Sequence, residues 1–349
     1  MTAPLVSVVI PFQNHKTFLE PALCHLFQQT YPHWELILVD NNAEDGSTEI
    51  ALNLSQQYPE QVRYIRQSIQ GIPFARNKGL AEARGNYVTF LDVDDHFTPT
   101  KLSEQVAILE AQPEVAMVYG LTRRVYVADG RSVIQNKGIA QEGMNQPPWL
   151  AIDWLRILYH LPQTGATLTR TAVARDIGGF DENLLLGNDD VAYHLKLAFH
   201  YPIWFLPNEA VVYYRHNASA GAQLNQSQGV ITRYRDIYAR WVVPYTAEYQ
   251  KQTNNGLPYY WAERSLAGNL CEYAYQMSSS WLVRRRLLHQ ELQQQRQRGY
   301  LRDNRFTLLF NLYAWLPYRA ARLATKLLYK ALYWSSPQNY PLRIPQPTL

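Results

Sequence analysis

Three carboxylates stand within four residues at Asp92-Val93-Asp94-Asp95, directly after the run Tyr87-Val88-Thr89-Phe90-Leu91. That run reads as a buried strand, so the acids sit at a strand's carboxyl end. Like charges this close repel, and each raises its neighbours' pKa. A divalent cation, or hydrogen-bond donors from a ligand, would remove the conflict. Hard cations such as Mg²⁺ take oxygen ligands and share them with substrate phosphates. The stretch therefore suits a metal-assisted site for a phosphate-bearing ligand. The competing reading is an acidic turn in which Asp95 caps a helix over residues 100–111.

A second acid pair, Asp189-Asp190, opens a helical pattern that reaches about His200. Paired carboxylates push one pKa upward, which suits a general base. The alternative is favourable charge at a helix N-terminus. Polar clusters follow two further apolar runs: residues 11–14 after residues 5–10, and residues 40–45 after residues 34–39. Arg76 and Asn77 lie between Gly71 and Gly79 at a helix start, where a guanidinium and free N–H groups suit phosphate or ribose oxygens. Arg76 fits a solvated helix surface as well, and Asp40 fits a local Asx turn.

These residues need a frame. Residues 5–10, 34–39, 62–65 and 87–91 read as buried strands, the first ended by Pro11. Helical patterns separate them at residues 17–29, from residue 47 through Tyr58, and at residues 75–83. The alternation predicts an α/β fold with an open, mostly parallel sheet. Such sheets bind ligands beyond the carboxyl ends of their strands, where the polar clusters fall. Residues 115–119 and 124–127 are predicted strands with Asp129-Gly130 as a hairpin turn. Residues 149–159 are predicted to form a helix, and residues 210–214 a last strand ending in Arg215-His216. After about Asn225 the chain becomes helix-forming, aromatic and basic.

The chain has 349 residues, 47% hydrophobic and 18% charged, so it is globular and long enough for two domains. Cys24 and Cys271 have no metal-binding spacing, which suggests a reducing compartment. The N-terminus lacks the pattern of a signal peptide, and no run approaches the roughly 20 apolar residues that span a bilayer. The expectation is a cytoplasmic protein, or one peripheral to a membrane's cytosolic face. The net charge of +4 is unevenly spread: from Trp281 onward 12 Lys and Arg face only Glu291 and Asp303. Within that tail Arg319, Arg322, Lys326 and Lys330 share one stripe flanked by Leu323, Leu327, Leu328, Leu332 and Trp334. Such a helix could lie on an anionic membrane or dock against the body or a twin subunit. No nucleic-acid module is visible.

Five blocks in order resemble the inverting glycosyltransferases of family 2, whose nucleotide-sugar-binding fold is called GT-A. They are Val8-Val9-Ile10-Pro11 with Asn14; Val39-Asp40-Asn41 with Asp45-Gly46-Ser47; Gly71 through Ala75-Arg76-Asn77 to Gly79; Phe90-Leu91-Asp92 with Asp94-Asp95; and Gly178-Gly179-Phe180-Asp181-Glu182 with Asp189-Asp190. The resemblance covers the first 220 residues. It implies a catalytic domain over residues 1–230, followed by a smaller helical region over residues 231–349. It also implies a nucleotide-sugar donor, UDP-linked, and a saccharide or lipid-linked acceptor in polysaccharide or glycoconjugate biosynthesis. By resemblance Pro11, Asn14, Asp40, Arg76, Asn77, Asp92 and Asp94 face the nucleotide, with Asp40 accepting from a uracil N–H. Asp95 would hold Mg²⁺ or Mn²⁺, with His216 as a further ligand. Asp190 would be the base and Asp189 its neighbour.

The last block departs from the family pattern. Asp189 stands where Glu is usual, Ala192 where a second acid often sits, and Lys196 where Arg is usual, so the acceptor pocket is expected to be unusual. Two other functions compete. A nucleotidyltransferase wants a Gly-rich basic loop after the first strand, where this chain has Gln13-Asn14-His15-Lys16. A glycan-binding or scaffolding relative needs neither Asp95 nor Asp190.

Overall fold

In the computed structural model the chain divides into two compact units, Met1–Leu224 and Asn225–Leu349. The structure describes residues 3–14, 16–135, 140–156, 161–185 and 187–216 of the first unit. In the second it describes residues 237–256, 281–298 and a few isolated positions. The basic stripe from Arg319 to Lys330 lies outside the described residues.

The first unit is built on strands β1 (Val6–Phe12), β2 (Trp34–Asp40), β3 (Val62–Arg66), β4 (Tyr87–Phe90) and β5 (His96–Phe97). It continues with β6 (Met117–Tyr126), β7 (Ser132–Gln135), β8 (Gly143–Asn145), β9 (Thr167–Arg170) and β10 (Ile203–Arg215). Its helices are α1 (Lys16–Phe27), α2 (Ser47–Gln57), α3 (Ile72–Glu82), α4 (Lys101–Ala111), α5 (Trp149–Arg156), α6 (Thr171–Asp176) and α7 (Asp189–His200). The sheet runs β3-β2-β1-β4-β9-β6-β10-β5, with β7 on β6 and β8 on β10. The first four strands are mutually parallel, and so are β6 and β10. Strand β9 runs antiparallel between β4 and β6. The α/β class and the mostly parallel sheet are as the sequence predicts.

β1 and β2 are buried at every position, as interior parallel strands covered on both faces must be. One acid is buried inside β2. Glu35 accepts bonds from Ser7 Oγ and the Arg84 amide, both at 2.7 Å. The core gathers Val8, Ile10, Leu19, Leu36, Leu38, Leu91, Leu102, Val118 and Leu168 among others.

Several element boundaries differ from expectation for local reasons. Pro11 does not end the first strand but sits inside it, paired with Val39. Backbone bonds of a parallel strand alternate between its two neighbours. Val9 bonds toward β4 and Phe12 toward β2, so the amide missing at Pro11 points toward β4, which has already ended. The segments 115–119 and 124–127 form one strand, β6, and the Asp129-Gly130 turn leads it into β7, with Gly130 at φ +69°. β10 starts at Ile203, seven residues before the expected Ala210, and changes register between Phe205 and Val211 around Pro207. The short strands β5, β8 and β9 carry too few residues for a periodic signal.

In the second unit a π-helical turn, Tyr238–Val242, runs into α8 (Val243–Thr253), which ends at Asn254 with φ +55°. A longer helix, α9, spans Trp281–Gln297. No helix among the described residues is long and apolar enough to cross a membrane.

Gly79 sets how closely α3 approaches β1. A Cβ there would stand 2.2 Å from Val9 Cγ1, and Val9 is fully buried and stiff about χ1. Helix propensity favours Ala over Gly by about 1 kcal/mol, whereas overpacking costs about 1–3 kcal/mol. The clash wins, so Gly79→Ala should lower the urea midpoint. A raised midpoint would contradict this packing.

Candidate active site

The parallel strands bring their carboxyl ends to one edge, and the acids of the sequence collect along it. β4 delivers Asp92, Asp94 and Asp95. β10, parallel to β6, delivers His216 just beyond its end. α7 opens there with Asp189 and Asp190 in its first turn. Gly187 and Asn188 precede that turn at φ +85° and +69°, a reversal that suits Gly and Asn.

Arg76, in α3, joins the two acid groups. Its Nη1 donates to Asp189 Oδ2 and its Nη2 to Asp92 Oδ1, each at 2.7 Å. The guanidinium is 4% exposed and lies 5.3 Å from the Phe180 ring centre. Phe180 stacks on Tyr193 at 4.4 Å and meets the edge of Phe90 at 4.8 Å, so the ring that faces the cation is held by two others. Burial works against the Arg76 charge, but Asp92 and Asp189 outweigh it and hold the group protonated. Arg76 Nε is buried with no hydrogen-bond partner among the described residues.

The other acids are less compensated. Burial raises the Asp94 pKa, with Asp92 adding to it, and Asp94 pairs with His216 Nε2 at 3.1 Å. Asp95 is 1% exposed and accepts the Tyr214 amide at 3.2 Å. Burial first, then Asp94 and Asp92, push its pKa well above the usual range. Asp95 does not cap the helix after it, which begins at Thr100 without a side-chain cap. Burial and the neighbouring Asp189 push half-buried Asp190 up to about 6.

The remaining expected residues hold the loops. Asn14, at φ +51°, accepts the Glu44 amide at 2.7 Å and so ties the β1 and β2 ends together. Pro11 lies inside β1, one residue before its end and paired with Val39. The Asp40 carboxylate accepts from the Ala43 amide, Thr48 Oγ1 and Tyr64 OH at 2.8, 2.7 and 2.9 Å. A carboxylate offers about four lone-pair sites, so Asp40 forms the local turn and keeps one acceptor position. Asn77 donates to the Phe180 carbonyl and Glu182, and accepts the Phe180 amide, all at 2.9 Å. Asn77 therefore docks the Gly178-Gly179 turn onto α3 and is not drawn into the acid cluster. Gly179 permits this approach, since a Cβ there would stand 2.5 Å from Asn77 Oδ1.

Lys196, which stands where the family pattern has Arg, donates to the carbonyls of Ile177 and Gly179 at 3.2 and 3.0 Å and secures the same turn. The sequence did not point to several aromatic contributors. Phe18, from α1, stacks on the His216 ring at 4.9 Å. His25, one face further along α1, stacks on His96 at 3.9 Å, and Tyr214 meets His96 edge-on. An i, i+7 aromatic pair on α1 was the available signal.

Among the described residues no three His, Cys, Asp or Glu side chains converge in a group ready to hold a metal. His216 pairs with Asp94 rather than Asp95. The donor set still suits a hard cation: Asp95 is a buried carboxylate that forms no ion pair among the described residues, beside a second acid. Mg²⁺ sites of this kind use one or two carboxylates and take remaining ligands from substrate phosphates and water.

The model of the family described as glycosyl transferase family 2 matches residues 7–165, a span that holds Asp40, Arg76, Asp92, Asp94 and Asp95. Residues 7–165 are a family 2 glycosyltransferase domain. Over 111 residues the chain is 38% identical to the putative teichuronic acid biosynthesis glycosyltransferase TuaG of Bacillus subtilis, covering 30% of this chain and 42% of TuaG. It is 34% identical over 120 residues to an uncharacterized glycosyltransferase of Haemophilus influenzae, covering 34% and 48%. The chain thus spans under half the length of these curated relatives. Residues 1–349 of S. aureus TarS, solved in complex with UDP-GlcNAc, share the fold, with a TM-score of 0.59 at 17% identity over 95% of this chain and 90% of that one. The mannosyltransferase PcManGT of Pyrobaculum calidifontis, solved with GDP-Man and Mn²⁺, gives 0.53 at 17% identity over 96% and 89%. The glycosyltransferase domain therefore has the GT-A fold that its motifs imply.

The raised Asp190 pKa has a sign that stability can report. The folded state holds the proton more tightly than the unfolded chain, so charged Asp190 destabilises the fold above about pH 6 and not below about pH 4. Asp190→Asn should melt higher than the wild type at pH 7.5, with the gap closing as pH falls from 6 to 4. An Asn variant that melts lower at pH 7.5 would show that the acid is stabilised in place.

Proposed function

We propose that the chain transfers a sugar, with inversion, from a nucleotide-linked donor to a hydroxyl of a saccharide or lipid-linked acceptor in polysaccharide assembly. The observation that carries this reading is the meeting of the strand-end acids, inside the span that matches the family 2 glycosyltransferase model, with the helix-start pair beyond it through one buried arginine. The donor nucleotide lies along the strand ends lined by Pro11, Asn14, Asp40, Asp92 and Asp94, with Arg76 and Asn77 behind them. A UDP-linked donor agrees with the last acceptor position on Asp40. The UDP-GlcNAc in TarS and the GDP-Man in PcManGT support a nucleotide-sugar donor in general. The name of TuaG supports a polysaccharide product.

Inversion follows from direct displacement. Asp190, ionised above about pH 6, accepts the proton of the acceptor hydroxyl as that oxygen attacks the anomeric carbon. The new bond to the acceptor oxygen forms as the bond to the diphosphate oxygen breaks, and the proton stays on Asp190. Asp189, fixed by Arg76, keeps the Asp190 pKa raised and so strengthens the base. A Mg²⁺ or Mn²⁺ ion held by Asp95, with His216 beside it, would neutralise charge on the departing diphosphate.

Asp190→Asn keeps size and removes basicity. Turnover should fall by roughly 10²–10⁴, while isothermal titration shows donor affinity within a few-fold of wild type. Asp95→Ala should do the reverse and abolish the metal-dependent part of donor binding. Loss of donor binding in Asp190→Asn as severe as its loss of turnover would place that residue in the nucleotide site. Full Asp95→Ala activity in chelator would end the metal reading.

A further inference from the structure

We infer that Arg76 is a positioning residue that sets the pH at which the base works, by tying the donor-side acids to the acceptor-side acids with one charge. The inference rests on the reading of Asp190 as the base and goes beyond a phosphate or ribose contact for Arg76. Its ground is geometric. The two guanidinium arms end on carboxylates from opposite sides of the site, Asp92 after β4 and Asp189 on α7, each at 2.7 Å. The planar fork can serve two acids at once only from a fixed plane, and Phe180 beneath it fixes that plane. Asp189 and Arg76 are both nearly fully buried, with side chains 4% and 5% exposed, so their charges reach Asp190 with little solvent screening.

The charges acting on Asp190 have opposite signs. Asp189, on its own helix, and Asp92, across the site, raise its pKa, while Arg76 on α3 lowers it. His194, one turn along α7, is buried, and burial together with Arg76 lowers its pKa to about 3, so it adds no charge at neutral pH. Without Arg76 three carboxylates would face one another unrelieved, and Asp190 would hold its proton to higher pH. The arginine therefore lets a crowded acid cluster contain a base that is ionised at neutral pH. It also links the loop that holds Asp92 to the first turn of α7, so a shift at one acid group is felt at the other.

The test is the dependence of turnover on pH. Wild type should lose turnover below a single limb near pH 6, and Asp190→Asn should lack that limb. Arg76→Lys keeps a charge but cannot fork, so its limb should rise by about one unit. That is about tenfold lower turnover than wild type at pH 5, with the deficit shrinking as pH rises. Removing a buried cation alone risks the fold, so a second comparison removes both members of the pair. Arg76→Gln/Asp189→Asn leaves no lone charge at position 189, and its limb should lie above that of Asp189→Asn alone. If Asp190→Asn retains the wild-type limb, the base reading fails. If that limb belongs to Asp190 but both arginine comparisons leave it in place, Arg76 has no part in setting it and this inference is overturned.

Discussion

Negative charge concentrated at one sheet edge is the constraint on which the rest of the structure depends. Asp92, Asp94, Asp95, Asp189 and Asp190 line that edge, with Asp95 and Asp189 buried, and like charges so placed cannot all stay ionised unless something positive stands between them. Arg76 is that group for two of them. Its placement explains much of the surrounding architecture. α3 must start at Gly71, whose φ of +137° suits glycine, so that Arg76 reaches the edge. The Gly178-Gly179 turn must lie against α3 so that Phe180 can seat the guanidinium, and Asn77 and Lys196 hold it there.

The acids to which Arg76 makes no hydrogen bond are only partly relieved by its charge, and the strain left on them is where chemistry becomes available. Asp95 holds its proton far above the usual carboxylate range, and Asp190 to about 6. Each would be more stable neutral or replaced, so stability alone does not account for their presence. In the proposed reaction a cation or a donor diphosphate would relieve the first, and an acceptor proton the second. The two halves of the reaction thus draw on two separate charge conflicts. The structure keeps them apart by giving Asp94 to His216 and Asp189 to Arg76.

Much of this was legible in the sequence where the signal is local. Continuous apolar runs named the four parallel strands, and polar residues after each run marked the binding edge, because both follow from how a covered parallel sheet is built. What escaped depends on partners distant along the chain. Arg76 and Asp189 are 113 residues apart, and nothing near Arg76 distinguishes a buried bridge from a solvated helix side chain. Pro11 looks like a terminator until the end of β4 is known, because only then is its missing amide harmless. β9 is four residues long and exists because β4 and β6 leave an open lane between them. Asp40 and Asn77 carry family motif positions, yet their polar atoms hold loops, a role that no spacing rule separates from ligand contact.

The central claim is direct displacement with Asp190 as base, and the configuration of the sugar released without any acceptor tests it most directly. Water then takes the acceptor's place, so the acceptor's identity does not matter. Slow hydrolysis of UDP-α-linked hexoses by the full chain, followed by proton NMR before the free sugar mutarotates, reads the first-formed anomer. The account predicts the β anomer, with its formation lost in Asp190→Asn. First appearance of the α anomer would contradict it, since retention requires a covalent intermediate or a different attacking face.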